Sequence, residues 1–420
     1  MSEAAWPSCV LGEGIQLISG RHIQASGCNT DGFGMPYLTG PEDFPYHRIQ
    51  ATKFVSRPDA VCEPGDILLV VKGSGTGKMI RADKQYCISR QLMAIRSAIW
   101  SNCFLEHFIR ACEEYFSSAA SGLIPGISRI DILETPILIP PLPQQRKIAR
   151  ILTTLDNVIT QTEALIAKYQ AIKQGLMHDL FTRGVDATGK LRPPQSEAPE
   201  LYKQSERGWI PREWEVSQLG DCVDSLIDGP FGSNLKTEHY VTEPCVRVVR
   251  LQNISNSGYD DSDPAFISHG HANFLSRHKV VGGDVLIASL GDENYPPGRS
   301  CLYPSHLPPA VNKADCFRLR CNSGIAVNAF VSYALNSSFV RQGVKRFAQG
   351  VTLVRVNGTN IKKVCIKLPS VSEQQQIVER LDAVHAIIET QADIREKYLL
   401  LKTGLMQDLL TGKVRVNAEV

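Results

Sequence analysis

From Pro140 to Val185, apolar or seam-like side chains recur at Ile148, Leu152, Leu155, Ile159, Thr162, Ile166, Tyr169, Lys173, Leu176 and Leu180. The steps alternate four and three, which keeps one face of a helix turned toward a partner. The start is proline-rich, and no Gly or Pro then interrupts the run before Gly175. Ala, Leu, Lys and Gln dominate it, so propensity agrees with pattern. The pattern predicts one long helix carrying a coiled-coil seam.

The same pattern returns 229 residues later without a gap, from Pro369 to Val414. Gln145 corresponds to Gln374, Lys168-Tyr169 to Lys397-Tyr398, and Gly175-Leu176-Met177 to Gly404-Leu405-Met406. The seam repeats as Ile377, Leu381, Val384, Ile388, Gln391, Arg395, Tyr398, Lys402, Leu405 and Leu409. Polar members of a seam weaken packing but fix register and partner. Two such helices in one chain most simply bury their faces on each other. Packing of each on its own globular neighbour is the alternative.

The repeat extends beyond the helices. Trp6-x4-Leu11-Gly12-Glu13 matches Trp214-x4-Leu219-Gly220-Asp221, and Pro64-Gly65-Asp66-Ile67-Leu68 matches Gly282-Gly283-Asp284-Val285-Leu286. The offset grows along the chain, as it does when loops are inserted between persisting elements. Short apolar strands are expected at Asp66–Val71 and Asp284–Ala288, strands with one wetter face at Val246–Leu251 and Cys316–Arg320, and amphipathic helices through Phe104–Phe116 and Val327–Leu335. The expected fold class is therefore α+β with internal duplication. Its parts are a first α/β domain at 1–141, a long helix at 142–185 and a polar, proline-containing linker at 186–208. A second domain at 209–368, a second long helix at 369–414 and a tail at 415–420 follow.

Length and composition add bounds. A chain of 420 residues is too long for one core. Apolar content of 43% with 21% charged residues describes an ordinary globular protein. No apolar run approaches the roughly 20 residues of a membrane helix, and the first residues lack the basic and apolar regions of a secretory signal. The 12 cysteines are scattered singly without a Cys-x-x-Cys, the pattern of reduced thiols in a cytoplasmic protein.

Net charge is only +2, but its distribution is uneven. Lys313 to Lys367 carries ten basic residues against the single acid Asp315. Lys72 to Arg96 carries six against Asp83 alone, whereas Lys84 to Ile139 balances five bases with five acids. Two such local excesses favour surfaces that face phosphates.

Catalytic motifs fail one by one. Lys72-Gly-Ser-Gly-Thr-Gly-Lys78-Met79 lacks the first glycine of a P-loop and the hydroxyl that follows its lysine. As a Gly-rich turn bearing Ser74, Thr76 and Lys78 it suits DNA contacts, or is a plain surface hairpin. Asn294-Tyr-Pro-Pro-Gly298 departs from the Asn-Pro-Pro-Tyr signature of amino-methyltransferases. His269 and His271 have no companion at metal spacing, and there is no nucleophile elbow.

These features together resemble the DNA-specificity subunit of type I restriction–modification systems. The resemblance rests on Pro-Leu-Pro-Gln-Gln-Arg-Lys-Ile (141–148) and Ser-Glu-Gln-Gln-Gln-Ile (372–377) at the helix starts and on the Gly-Leu-Met-x-Asp-Leu ends (175–180, 404–409). The Gly-Asp-apolar-Leu strands and Gly-Trp-Ile-Pro-x-x-Trp at 208–214 complete it. It covers essentially the whole chain. One departure is Gln144-Gln145 where the family often has Glu-Gln; the second copy keeps Glu373-Gln374.

The resemblance implies two target-recognition domains, each reading one half of a bipartite DNA sequence, on two antiparallel helices that act as a spacer. It implies docking of two methyltransferase subunits on the helices. S-adenosylmethionine would belong to those subunits, ATP and Mg²⁺ to a separate restriction subunit, and no cofactor, metal or catalysis to this chain. The implied seam comprises Ile148, Leu152, Leu155, Ile159, Ile166, Tyr169, Leu176, Ile377, Leu381, Val384, Ile388, Tyr398 and Leu405. Candidate DNA contacts, chosen as donors and acceptors for phosphates and base edges, are Lys72, Ser74, Thr76, Lys78, Arg81 and Gln91 in the first domain. In the second they are Arg299, Arg341, Lys345, Arg346, Gln349, Thr352 and Arg355. A stand-alone bipartite DNA-binding regulator and a non-catalytic protein scaffold are the competing readings.

Overall fold

The computed structural model describes residues 6–45, 48–73, 75–112, 116, 126–206 and 208–417. Among them the α-helices are α1 (Asn102–Ala111), α2 (Arg129–Leu133), α3 (Leu142–Thr182), α4 (His269–Phe274), α5 (Asn328–Asn336), α6 (Ser338–Phe347), α7 (Gly358–Lys362) and α8 (Val371–Leu410). The chain forms two compact units, Met1–Ala164 with Ala392–Val420 and Leu165–Gln391.

In the first unit a four-stranded antiparallel sheet runs in the order Gln16–Ser19, Leu92–Arg96, Ile67–Val70, Met79–Arg81. A five-stranded sheet runs Cys28–Asn29, Lys53–Val55, Met35–Leu38, Tyr86–Ile88, Val61–Cys62. Its one parallel pair is Met35–Leu38 with Tyr86–Ile88. The strand at 67–70 is apolar throughout because both its faces are covered. Ile67 and Leu69 join the cluster of Phe104, Leu105 and Ile109 from α1, while Leu68 and Val70 join Leu38, Tyr86 and Ile88 from the other sheet. Alternation of side chains across a strand makes this division.

The second unit repeats the topology. Its four-stranded sheet runs Val223–Ile227, Cys316–Cys321, Val285–Ala288, Ser300–Leu302. Its five-stranded sheet runs Tyr240–Val241, Phe266–Ile267, Val246–Val249, Ala310–Asn312, Lys279–Val280. The parallel pair, Val246–Val249 with Ala310–Asn312, occupies the same place in the order. Val285 and Ile287 again face a helix, α5, while Leu286 and Ala288 face the other sheet's cluster. The shared Gly-Asp motif explains itself here. Gly65 and Gly283 adopt φ of 89° and 83°, a left-handed conformation that favours glycine. The following aspartates are buried, and each holds an arginine of the central strand, Asp66 with Arg96 and Asp284 with Arg320.

Each unit also contains part of each long helix. In the first, the start of α3 lies beside the end of α8, and Lys402 reaches Asp156. In the second, the end of α3 lies beside the start of α8, and Lys173 Nζ stands 3.3 Å from His385 Nδ1. The helices are therefore antiparallel, and the two polar pairs occupy corresponding places, since Asp156 matches His385 and Lys173 matches Lys402 in the repeat. Ile148, Leu152, Ile159, Ile166, Ile377 and Leu381 are buried. Leu155, Tyr169, Leu176, Val384, Ile388, Tyr398 and Leu405 are half-buried. Gly184 and Gly412, with φ of 63° and 72°, follow the two helix ends and let the chain turn away.

The expected linker at 186–208 is folded instead. Tyr202–Ser205 pairs with Gly208–Pro211 as a hairpin, Tyr202 and Arg192 are buried, and Arg192 binds Glu373 at the start of α8. Its polar composition serves turns and one buried ion pair, so composition alone misrepresents it.

Candidate nucleic-acid interface

The Gly-rich segment of the first domain is the hairpin turn between Ile67–Val70 and Met79–Arg81. Thr76 N donates to Gly73 O, and Lys78 N to Gly75 O. Gly73 and Gly77 both adopt φ of 93°. Lys72 and Lys78 are exposed, whereas the Thr76 hydroxyl is turned onto Gly73 O at 2.7 Å. Ser74 lies outside the described residues. Arg81 leans on α1, where its Nη1 approaches Cys103 Sγ at 2.8 Å and its Nε approaches Glu106 at 3.8 Å.

Gln91 is exposed in the turn that follows Tyr86–Ile88. It borders a cleft of about 490 Å³ that also takes in His22, Asn29, Lys53 and Arg90. Three basic side chains and two amides around one cleft offer donors and acceptors for both phosphates and base edges. Sequence reasoning missed Lys53, which lies outside the two basic tracts; only the fold brings it to the same cleft as Arg90.

In the second domain the candidates divide. Arg299 is corrected to a structural residue: it is 5% exposed, and its guanidinium donates to Ile254 O, Leu290 O, Tyr295 O and Leu251 O. A guanidinium spent on these carbonyls, and on Pro296 O at 3.4 Å, is occupied inside the domain. Arg341 is likewise committed, to Asn336 Oδ1 at 2.8 Å, to Asn256, and to the carbonyls of Pro296 and Pro297. Burial pushes its pKa down to about 10. Lys345 and Arg346 at the end of α6, together with Gln349, Thr352 and Arg355, are exposed.

The last three belong to one loop. Gln349 and Arg355 exchange backbone hydrogen bonds at 2.9 and 2.8 Å, and Val354–Arg355 pairs with Leu290–Gly291. The tip of the loop presents Val351, 98% exposed, and Leu353. Arg355 Nη2 donates to Asp315 Oδ2 at 2.9 Å. Asp315, the single acid of the basic tract, is the partner that sequence reasoning passed over; its isolation among ten bases was the available signal.

Corresponding places in the two domains carry unlike side chains. Gln91 and Asp315 both sit in the turn between the parallel pair and the central strand. Lys72 pairs with Gly126 where Leu290 pairs with Arg355. The first domain thus has Gln and Gly where the second has Asp and Arg.

Beside the helices of the second unit lies an open cleft of about 1210 Å³, bordered by Lys173, Met177, His385 and Ile388 and by Arg341 and Lys345 of the domain. Among the described residues no group of His, Cys, Asp and Glu could hold a metal ion, and all twelve cysteines are free thiols. No described helix is long and apolar enough to cross a membrane.

Comparison with known proteins gives one answer. The type I restriction modification DNA specificity domain matches residues 5–174 and again 211–397. The MjaVIII specificity subunit of Methanocaldococcus jannaschii is 25% identical over 386 residues, 87% of this chain and 83% of its own. The EcoKI specificity subunit of Escherichia coli is 24% identical over 208 residues, 49% of this chain and 44% of its own. Among solved structures, the S subunit of a type I system from M. genitalium superposes with a TM-score of 0.61 at 14% identity, covering 98% of this chain and 97% of that one. A chain from a study of complex assembly and conformational transition in the type I system gives 0.53 at 17% identity, with 98% of each covered. With both of its halves matched, this chain belongs to the family of type I restriction–modification DNA specificity subunits.

Proposed function

We propose that this chain selects the DNA sequence on which a type I methyltransferase complex acts, each domain reading one half of a bipartite, asymmetric target. One observation carries the reading: the two specificity-domain matches fall on heads of the same topology that present different polar side chains at corresponding turns. A duplicated reader with unlike reading residues suits a target whose halves differ. Lys72, Lys78, Arg81, Gln91, Lys345, Arg346, Gln349, Thr352 and Arg355 are the proposed contacts, with Thr76 held within its turn. Two methyltransferase subunits dock on the helical region, where α3 exposes Ile172 and α8 exposes Leu399, Leu400 and Leu401. Ile172 and Leu401 correspond in the repeat, so one surface recurs for two copies of one partner. The chain itself is non-catalytic. S-adenosylmethionine belongs to the methyltransferase subunits and ATP with Mg²⁺ to a restriction subunit.

The test is co-purification with methyltransferase subunits, followed by mapping of methylated adenines. The expected result is one split motif. Removing one heptad from each helix, 159–165 and 388–394, preserves the seam phase and shortens each by about 10 Å, on the order of three base pairs. The gap between half-sites is expected to shrink while the half-sites stay the same. Absence of any motif, with duplex binding insensitive to salt, would point to a scaffold instead.

A further inference from the structure

Among the candidate arginines of the second domain, Arg355 is the one that the surrounding structure aims without exhausting. Arg299 and Arg341 are spent on internal acceptors, and Arg320 is held by both oxygens of the buried Asp284. Arg346 has no partner that would orient it among the described residues. Arg355 is different: its side chain is 51% exposed, while that of Asp315 is 14% exposed, and among the described residues only its Nη2 is engaged.

Asp315 is itself fixed from several sides. Its backbone N donates to Asp228 Oδ1 at 3.0 Å, its Oδ1 accepts from Ser289 Oγ at 3.1 Å, and its carbonyl accepts from Ser289 N. It is also the one described residue other than glycine with positive φ, at 68°. A left-handed conformation at a non-glycine residue persists where the surroundings over-determine it, as they do at sites that must be pre-shaped. The backbone of Arg355 is pinned too, between Gln349 on one side and Leu290 on the other.

We propose that Arg355, oriented by Asp315, reads a guanine in the half-site of the second domain; this rests on the chain being a DNA specificity subunit. Asp315 Oδ2 accepts a hydrogen bond from one N–H of Nη2. The other Nη2 proton and those of Nη1 remain, in the planar fork that matches guanine O6 and N7 in the major groove. A flexible lysine or a phosphate-seeking arginine needs no such carboxylate behind it, whereas base reading gains from a donor set in place beforehand. The first domain has Gly126 and Gln91 at the corresponding positions, so the contact belongs to one half-site alone.

The complex with its methyltransferase partners is compared as wild type, Arg355→Lys, Arg355→Ala and Asp315→Ala, by mapping methylated sites and by competition between duplexes changed at one base. Arg355→Lys keeps the charge and loses the fork. The expected outcome is that one guanine of the second half-site relaxes, with discrimination reduced about tenfold or more, while the first half-site is untouched. Asp315→Ala relaxes the same position by less. An unchanged motif in both Arg355 variants overturns the proposal. So does uniform weakening on every duplex, which marks a phosphate contact. A wild-type complex without any motif would overturn the underlying reading first, and this one with it.

Discussion

Glu373 Oε1 accepts a hydrogen bond from Arg192 Nη1 at 2.6 Å, in a pair where both side chains are nearly enclosed. The same carboxylate oxygen accepts from Val185 N at 2.9 Å, so one residue at the start of α8 closes the segment that follows α3. In the first unit the corresponding residue is Gln144, whose Oε1 accepts from the indole of Trp6 at 3.1 Å. A neutral amide stands there in place of the carboxylate. The two starts are thus unlike for a local reason. Replacing Glu373 by Leu strands a buried guanidinium, and we expect a loss of about 3–5 kcal/mol by chemical denaturation. The double variant with Arg192→Met should recover part of it, because Val185 N and Arg183 O still lose their partners.

Gln145 and Gln374 dock the helices to their own domains in the same way. Gln374 Oε1 accepts from Val327 N at 2.8 Å and its Nε2 donates to Ile325 O and Pro369 O. Gln145 Oε1 accepts from Ser101 N and its Nε2 donates to Pro140 O, each at 2.8 Å. Both side chains are buried. Substitution by Leu leaves buried backbone groups unpaired, at about 1–3 kcal/mol for each. Hydrogen exchange should show faster opening around Val327 and α5 in Gln374→Leu, and around Ser101 and α1 in Gln145→Leu.

The seam positions, the repeat and the central strands were legible because each follows one period or one short motif. Ile67 to Val70 and Val285 to Ala288 announce themselves as strands covered on both faces. The interface was less legible. Arg299 and Arg355 look alike in sequence, and only the packing of 290–297 against the domain makes the first an internal cross-link and leaves the second outside. The segment 186–208 misled because Arg192 and Tyr202 are buried among polar neighbours that carry no apolar period. Thr153 and Asp382 correspond in the repeat yet meet different partners, His107 and Tyr333; these paired differences appear only when both units are folded.

Protonation should affect the two units differently. Burial pushes the His107 imidazole below its ordinary value, partly offset by Asp156 and Glu106 and reinforced by Arg110 and Lys402. The folded state then binds fewer protons than the unfolded one, so this contribution is present above about pH 6.5 and is lost as pH falls. Asp228 has the opposite sign: burial raises its carboxyl to about 6, so its contribution is present below about pH 4 and is lost as pH rises through 6. We expect His107→Gln to flatten the acid loss of stability. Asp228→Asn should stabilise the protein near pH 7.5 by about 1 kcal/mol, once solvent screening of this half-buried group is allowed for. Thermal unfolding across pH 5 to 8 measures both.

Grip and reading should separate among the cations. Lys72 and Lys78 are exposed on a turn, with no acceptor among the described residues that would aim them at a base, so they suit phosphates. Replacing both by Ala should weaken binding to all duplexes alike and lower the slope of log affinity against log salt by about 0.9 for each lost contact. The methylated motif should stay the same. Arg299→Met should behave in a third way. Its carbonyl partners, Ile254 O and Leu251 O among them, lose their buried donor, so the second unit is expected to lose several kcal/mol of stability, roughly 1–3 per stranded group. Neither the salt slope nor the motif should change in the fraction that remains folded. An altered base preference in that variant would mean that Arg299 leaves its carbonyl cage to meet DNA, and the division of the arginines drawn above would have to be redrawn.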